Sequence, residues 1–108
     1  MRWLYHLRIV NADDAWPYAP ASFANEKFIH ASYLDAVRES AALYFSAGAE
    51  IEILMIDPRK LTAPVDVTST PRGPMPHIAG AIEQAAVVRV VPLASFDPKT
   101  FPDRVGDE

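Results

Sequence analysis

The sequence contains no cysteine. The chain therefore has no disulfide framework, no thiolate metal site and no thiol nucleophile, and cysteine usage gives no indication of its compartment. Its net charge of −4 also leaves it without the basic face that a nucleic-acid-binding protein needs. Charged residues interrupt the apolar stretch at 1–10, so neither a signal peptide nor a membrane span is predicted there. We expect a soluble protein, cytoplasmic by default, that binds neither nucleic acid nor membrane.

Glycine is also scarce, with four in 108 residues. The segment 68–73 contains Gly73 as its only glycine, so it is not a phosphate-binding loop. At most, Arg72 or the loop amides contact an anion there. No G-x-S-x-G pattern surrounds Ser32. The residues alone therefore favour Ser32 as a helix cap over Ser32 as a nucleophile.

The composition that remains is that of an ordinary folded domain, because half of the residues are apolar and 22% are charged. A chain of 108 residues has the usual length of a single domain. We predict one compact domain over 1–108, with its core at about 3–93 and a loosely packed tail at 94–108.

The hydrophobic periodicity changes several times along the chain and predicts both strands and a helix. Helical spacing predicts one main helix at 33–47, with Ser32 as its N-cap and Gly48 just beyond its end. Because the elements do not alternate strictly between strand and helix, the expected fold is α+β with a mixed or antiparallel sheet. Apolar runs and period-two alternation predict strands at 3–10, 28–31, 50–56 and 85–93.

The segments between these elements are predicted to be mostly irregular. The proline-rich stretch 62–76 is predicted to form a lid or binding loop, with at most a short strand at 64–68. A weak helical turn is expected at 77–86, and a loop at 17–25. Asn11 is predicted to cap a short helical turn that runs to Ala15.

The three histidines, His6, His30 and His77, are the candidate functional residues. An imidazole acts near neutral pH as donor, acceptor, acid, base or metal ligand, and each of the three lies at the edge of a predicted element. Gly80, just after His77, permits close approach of the backbone to a ligand. We predict that the three rings line one cleft that binds a small molecule. For a single histidine, however, a structural ring hydrogen-bonded to a backbone carbonyl is the commoner case.

The spacing of the histidines matches no local metal-ligand motif, so no metal site is predicted. Metal-assisted hydrolysis by three imidazoles stays as a third hypothesis, which bound zinc or iron would support.

Several short motifs resemble a bacterial family of unknown function. That family is typified by a Tyr-His start, a Phe-Ile-His-Cys-Ser motif and a Pro-His-Ile-Tyr-Gly motif. In this sequence Ala31 takes the place of the cysteine and Ala79 that of the second tyrosine. The matching segments are Tyr5-His6, Glu26 to Ser32, Ile56-Asp57-Pro58, and Pro76 to Gly80 before Ala86-Val87-Val88.

The resemblance implies an ADP-ribosyltransferase-like fold, and the order of the motifs resembles the branch that contains the NAD-dependent RNA 2′-phosphotransferases. It implies NAD as the cofactor. His6 would then contact the adenosine ribose or the nicotinamide side, and His30 with Ser32 would support the second wall of the nicotinamide ribose pocket. The resemblance leaves the role of His77 unassigned.

Besides metal-assisted hydrolysis, the sequence supports two function hypotheses of different classes. The first is an ADP-ribosyl or pentosyl transferase-like domain that breaks the bond to nicotinamide through an oxocarbenium-like state. The second is a non-catalytic module that binds a small molecule or a protein, with Tyr44 and Phe45 exposed to the partner. The candidate catalytic residues are His6, His30, Ser32 and His77, and the candidate cofactor-binding residues are Tyr5, His6, His30, Ser32, Arg72 and Gly80. The oligomeric state is not predicted.

Overall fold

A computed structural model describes residues 1–10 and 15–106 of the chain. These residues form six strands and two short α-helices, joined by loops and single turns of 3-10 helix. The strands are β1 Leu4–Ile9, β2 Ile29–His30, β3 Ile51–Ile56, β4 Val65–Thr70, β5 Gly73–Ile78 and β6 Val87–Pro92. The helices are α1 Phe23–Glu26 and α2 Val37–Tyr44.

The strands form two three-stranded sheets in which every pair is antiparallel. The first sheet has the order β1-β3-β6, and the second has the order β2-β5-β4. An isolated bridge between Tyr5 and Ser32 joins the two sheets, because Tyr5 lies on β1 and Ser32 lies just after β2. The prediction of an α+β fold with antiparallel strands and one main helix is therefore confirmed.

Each face of the first sheet covers its own hydrophobic cluster. Trp3 and Tyr5 belong to a cluster on one face, whereas Leu4 belongs to a cluster on the other. This follows from the period-two geometry of a strand, which sends successive side chains to opposite faces. His6 consequently lies on the face opposite to Tyr5, as the alternation in the sequence predicts.

The main helix is shorter than the predicted 33–47. A turn of 3-10 helix at Leu34–Ala36 precedes α2, and α2 ends at Tyr44, well before Gly48. The prediction that Ser32 caps this helix is wrong, because Ser32 is paired through its backbone with Tyr5. Its hydroxyl bonds to Ser40 inside the helix instead of to the helix N-terminus.

The prediction of an irregular loop at 62–76 is wrong, since this segment forms most of the β4–β5 hairpin. Gly73 has a φ of +96° beside the turn, a conformation that favours glycine. The short strand β2 pairs with β5 only at His77 and Ile78. The β5 edge at Pro74 therefore carries no partner strand in the part of the chain described, and a proline there removes no ladder hydrogen bond.

The other element predictions are correct in type but differ at their ends. The structure confirms the four predicted strands, each with slightly narrower bounds. The helical turn predicted at 77–86 is confined to a 3-10 turn at Gln84–Ala86, because β5 continues through Ile78. The predicted loop at 17–25 includes the start of α1. The turn predicted after Asn11 lies in part outside the described residues.

The C-terminal segment packs against the first sheet, so the prediction of a loosely packed tail is wrong. Phe96 is 2% exposed, and both Phe96 and Phe101 belong to the cluster around Tyr5. The Tyr5 hydroxyl donates to the carbonyl oxygen of Pro102. Isolated aromatic residues between prolines have no periodicity, which is why the sequence pattern did not indicate their burial.

The helices of the described residues are all too short or too polar to cross a membrane.

Replacing Phe96 with alanine is expected to lower the free energy of unfolding by about 3 kcal/mol or more, because it removes a fully buried aromatic side chain. Urea denaturation followed by circular dichroism measures the change. The exposed Leu43→Ala is the control and should change stability by less than about 0.5 kcal/mol. Equal stability of Phe96→Ala and the parent protein would contradict the packing of this segment.

Candidate functional site

A cleft of about 1340 Å³ opens where the two sheets meet. Its walls come from β1, the segment around residues 15–22, the region of β2, helix α2 and the β4–β5 hairpin. Five of the predicted site residues line it, although they are far apart in the sequence: His6, His30, Ser32, Arg72 and His77. The structure thus brings the three histidines together around one open cleft.

Tyr5 and Gly80, which were also predicted to bind a cofactor, do not line this cleft. The ring of Tyr5 lies in the core on the other face of β1, edge-on to Phe96 and Phe101. A Cβ atom on Gly80 would come within 2.7 Å of the Cβ of Ala63. The absence of a side chain at Gly80 therefore serves close packing against Ala63.

His6 is buried at the inner end of the cleft, and both of its ring nitrogens are hydrogen-bonded. Its Nδ1 donates to the carbonyl oxygen of His30 over 2.6 Å. A neutral ring with its proton on Nδ1 accepts at Nε2, where the hydroxyl of Tyr18 lies 3.0 Å away. Burial lowers the pKa of His6 to about 4, with Arg8 adding to the effect. At neutral pH His6 is therefore uncharged and positions β2 and Tyr18.

His30 is paired with a carboxylate. Its Nε2 lies 2.7 Å from Oε2 of Glu26, and the two side chains are 52% and 41% exposed. The rings of Phe28, Tyr44 and His77 surround the imidazole, with centroids at 4.8, 6.1 and 5.3 Å. His30 is thus held in place while part of its ring stays open to the cleft.

His77 lies beside His30 on the neighbouring strand. Its ring stacks on that of Phe28 with a centroid separation of 4.1 Å, and its Nδ1 is 3.2 Å from the hydroxyl of Thr68. Burial lowers the pKa of His77, and the nearby His30 lowers it further. The second sheet therefore presents two imidazoles side by side, and the lowered pKa of His77 favours its neutral form.

A network of hydrogen-bonded polar side chains also lines the cleft. Ser32 is buried, and its hydroxyl lies 2.8 Å from that of Ser40 on α2. Arg72 donates to Oε1 of Glu39 over 2.8 Å and to the hydroxyl of Ser40 over 3.3 Å. Its guanidinium also lies 5.7 Å from the ring centroid of Tyr44. The hydrogen bond to Glu39 contributes most to the raised pKa of Arg72, so this cation is held at the edge of the cleft.

Sequence reasoning did not assign four of the cleft residues to the candidate site. Glu26 lies within a motif that was recognised, four positions before His30, but was not assigned a role. Ser40 and Tyr44 lie on the predicted helix, where Ser40 was given no role and Tyr44 was expected to contact a binding partner. Tyr18 lies between prolines and gave no signal. Only Glu26 could have been found from its spacing to a histidine.

Among residues 1–10 and 15–106, no three histidine, aspartate or glutamate side chains are arranged to hold a metal ion. The geometry gives the hypothesis of metal-assisted hydrolysis no support.

The fold and the cleft define a small two-sheet α+β domain with a histidine-lined site between its sheets. Residues 8–90 match a family of proteins of unknown function, DUF952. This chain belongs to that family, which confirms the resemblance to a family of unknown function.

The crystal structure of protein CC0527 from Caulobacter crescentus is similar to this chain, with a TM-score of 0.69 and 22% sequence identity. The similarity covers 97% of this chain and 96% of that one. A double-mutant form of CC0527 gives the same TM-score at 21% identity and the same coverage. At this level of identity the likeness shows the fold alone. No curated protein matches the chain.

The lowered pKa of His6 predicts a loss of stability in mild acid. Between pH 6.5 and about 4 the unfolded chain binds a proton at His6 that the folded protein does not, so the free energy of unfolding falls as the pH falls. The loss attributable to His6 is about 3 kcal/mol across this window. It is measured as the difference between pH 7 and pH 4 in urea denaturation.

The matched variant is His6→Asn, whose side-chain nitrogen takes the place of Nδ1 as donor to the His30 carbonyl but does not titrate. Its stability should fall less over the same pH range than that of the parent protein. Identical pH dependence of the two proteins would show that His6 is not held neutral.

Proposed function

We propose that the cleft binds NAD or a related nucleotide, and that the domain is ADP-ribosyltransferase-like. The observation that carries the proposal is the convergence of His6, His30, Ser32, Arg72 and His77 on one open cleft. The motif resemblance assigns most of these residues to a nucleotide site. A nucleotide site requires these side chains to lie close together around one cleft.

The size and chemistry of the cleft support a nucleotide of this length. Typical small-molecule pockets have volumes of about 300–1,000 Å³, so a cleft of about 1340 Å³ has room for a dinucleotide. Arg72 offers a cation to a phosphate group. The exposed ring of Tyr44 and the half-exposed ring of His30 offer faces on which a base or nicotinamide can stack.

The paired hydroxyls of Ser32 and Ser40 suit a ribose. Ser32 and Ser40 place two hydroxyls 2.8 Å apart, and Arg72 already donates to one of them. A sugar hydroxyl both donates and accepts, so it can join such a network without leaving a buried group unpaired. We therefore place the nicotinamide ribose near Ser32 and His30 and the phosphates toward Arg72.

The second candidate function is a binding module without turnover. Both ring nitrogens of His6 are hydrogen-bonded, so His6 has no free nitrogen for proton transfer. This observation favours the binding module. Tyr44 and Leu43 are exposed on α2 and would contact a partner protein, whereas Phe45 is partly buried at the cleft. Incubation with NAD followed by detection of nicotinamide distinguishes the two functions.

NAD is expected to stabilise the protein against heat, because a ligand that binds only the folded state adds to its free energy of unfolding. Thermal denaturation with NAD at concentrations up to about 5 mM, above the usual KM range of about 1 μM to 1 mM, should show a saturable rise in Tm. Titration calorimetry with NAD, ADP-ribose and nicotinamide then shows which part of the molecule is bound. No change in Tm and no heat of binding at millimolar NAD would overturn the proposal.

The variant that tests the site is Arg72→Gln, with Lys99→Gln as its matched control. Both changes remove one positive charge, but Lys99 lies outside the cleft. The Kd for NAD should rise about tenfold in Arg72→Gln, as expected for one charge-assisted contact of about 1.4 kcal/mol, and stay constant in Lys99→Gln. Equal affinities of the two variants would place the phosphates elsewhere.

A further inference from the structure

Glu26 and His30 meet because the chain reverses between them. Glu26 is the last residue of α1, and Lys27 directly after it has a φ of 67° in the left-handed region. The chain then enters β2, which ends at His30. This reversal brings Oε2 of Glu26 to 2.7 Å from Nε2 of His30. The pair is a carboxylate–imidazole dyad on the rim of the cleft.

The dyad fixes which nitrogen of His30 carries the proton when the ring is neutral. A carboxylate oxygen only accepts, so Nε2 must donate to Glu26. Nδ1 is then left with its lone pair. Within residues 1–10 and 15–106, no hydrogen bond to this Nδ1 is found, and the side chain is half exposed. His30 therefore offers an acceptor nitrogen to a molecule in the cleft.

The surrounding rings hold the plane of the imidazole. Phe28 and His77 contact it edge-on, with interplanar angles of 78° and 86°, and Tyr44 lies nearly parallel to it at 26°. A ring held from three sides and bonded to a carboxylate keeps one orientation. A proton acceptor needs such a fixed orientation, because proton transfer depends on the distance and alignment between donor and acceptor.

We propose that His30 is a general base of the cleft and that Glu26 is its positioning residue. His30 takes a proton at Nδ1 from a water molecule that attacks the ligand, and the Glu26 carboxylate stabilises the imidazolium that forms. This arrangement differs from that of His6, whose two nitrogens are both occupied. The inference rests on the proposed function, because it takes NAD as the molecule attacked.

The reaction is a hydrolysis in which atoms and charge balance. A bond forms between the water oxygen and C1′ of the nicotinamide ribose, and the bond from C1′ to the pyridinium nitrogen breaks. Nicotinamide leaves as a neutral molecule with the electron pair of that bond. The proton of the attacking water passes to Nδ1 of His30 and later to solvent. The products are ADP-ribose, nicotinamide and one proton, and nothing is oxidised or reduced.

The test measures nicotinamide release and NAD binding separately on the full chain. The parent protein should release nicotinamide from NAD, with kcat falling about 100-fold in His30→Ala and about tenfold in Glu26→Gln. The Kd for NAD, from calorimetry, should change less than about threefold in Glu26→Gln. Glu50→Gln, an exposed carboxylate outside the cleft, is the matched control and should leave kcat unchanged.

Rescue by added imidazole separates a chemical role of His30 from a structural one. Imidazole in solution should restore part of the activity of His30→Ala in proportion to its concentration, and should not accelerate the parent protein. Failure of rescue together with a matching loss of NAD affinity would show that His30 only shapes the cleft, and would overturn the inference.

The remaining outcomes distinguish this inference from the proposed function. NAD binding by the parent protein without nicotinamide release would contradict the role of His30 as general base and would still support the nucleotide site. Equal kcat in Glu26→Gln, His30→Ala and the parent protein would do the same. Absence of NAD binding would overturn the proposed function and, with it, the hydrolysis inferred here.

Discussion

The whole structure depends on the backbone pairing between Tyr5 and Ser32. The amide of Tyr5 donates to Ser32 over 2.8 Å, and the amide of Ser32 donates to Tyr5 over 2.7 Å. This reciprocal pair ties the first sheet to the second, which otherwise has its own strand order. The His6 ring adds a third bond across the same junction, to the carbonyl oxygen of His30. Because these bonds are buried, their loss would leave polar groups without partners.

The same junction generates the cleft and sets the different tasks of its histidines. His6 is buried between the sheets, so desolvation keeps it neutral and both nitrogens serve the architecture. His30, one strand away, is held by Glu26 and aromatic rings but remains half exposed. The ring of His6 bonds to the backbone carbonyl of His30, and the two imidazoles thus divide into a structural ring and a ring available for chemistry. The hydrolysis proposed above rests on this division.

Local patterns in the sequence predicted much of the fold, because strand alternation and helical spacing act between near neighbours. The alternation of Tyr5 and His6 fixed their opposite faces, and the central strand was evident from its apolar run. The hairpin at 65–78 was not evident, since proline lacks an amide donor and Pro74 fits β5 because no strand pairs with that edge, which is a property of the tertiary arrangement. The cleft was expected from three histidines at element edges. Its carboxylate, Glu26, stands four positions before His30, a spacing that could have suggested the pair, whereas the left-handed turn at Lys27 that brings the two side chains together has no sequence signal at a non-glycine residue.

The central claim is that three distant histidines surround one ligand site, and the chain has only these three. Titration of the protein with NAD, followed by two-dimensional proton–nitrogen NMR of the imidazole rings, tests this claim most directly. The account predicts that the ring signals of His6, His30 and His77 all shift along one binding curve, with the largest change at Nδ1 of His30. A shift confined to one ring, or three unchanged rings at saturating NAD, would contradict it.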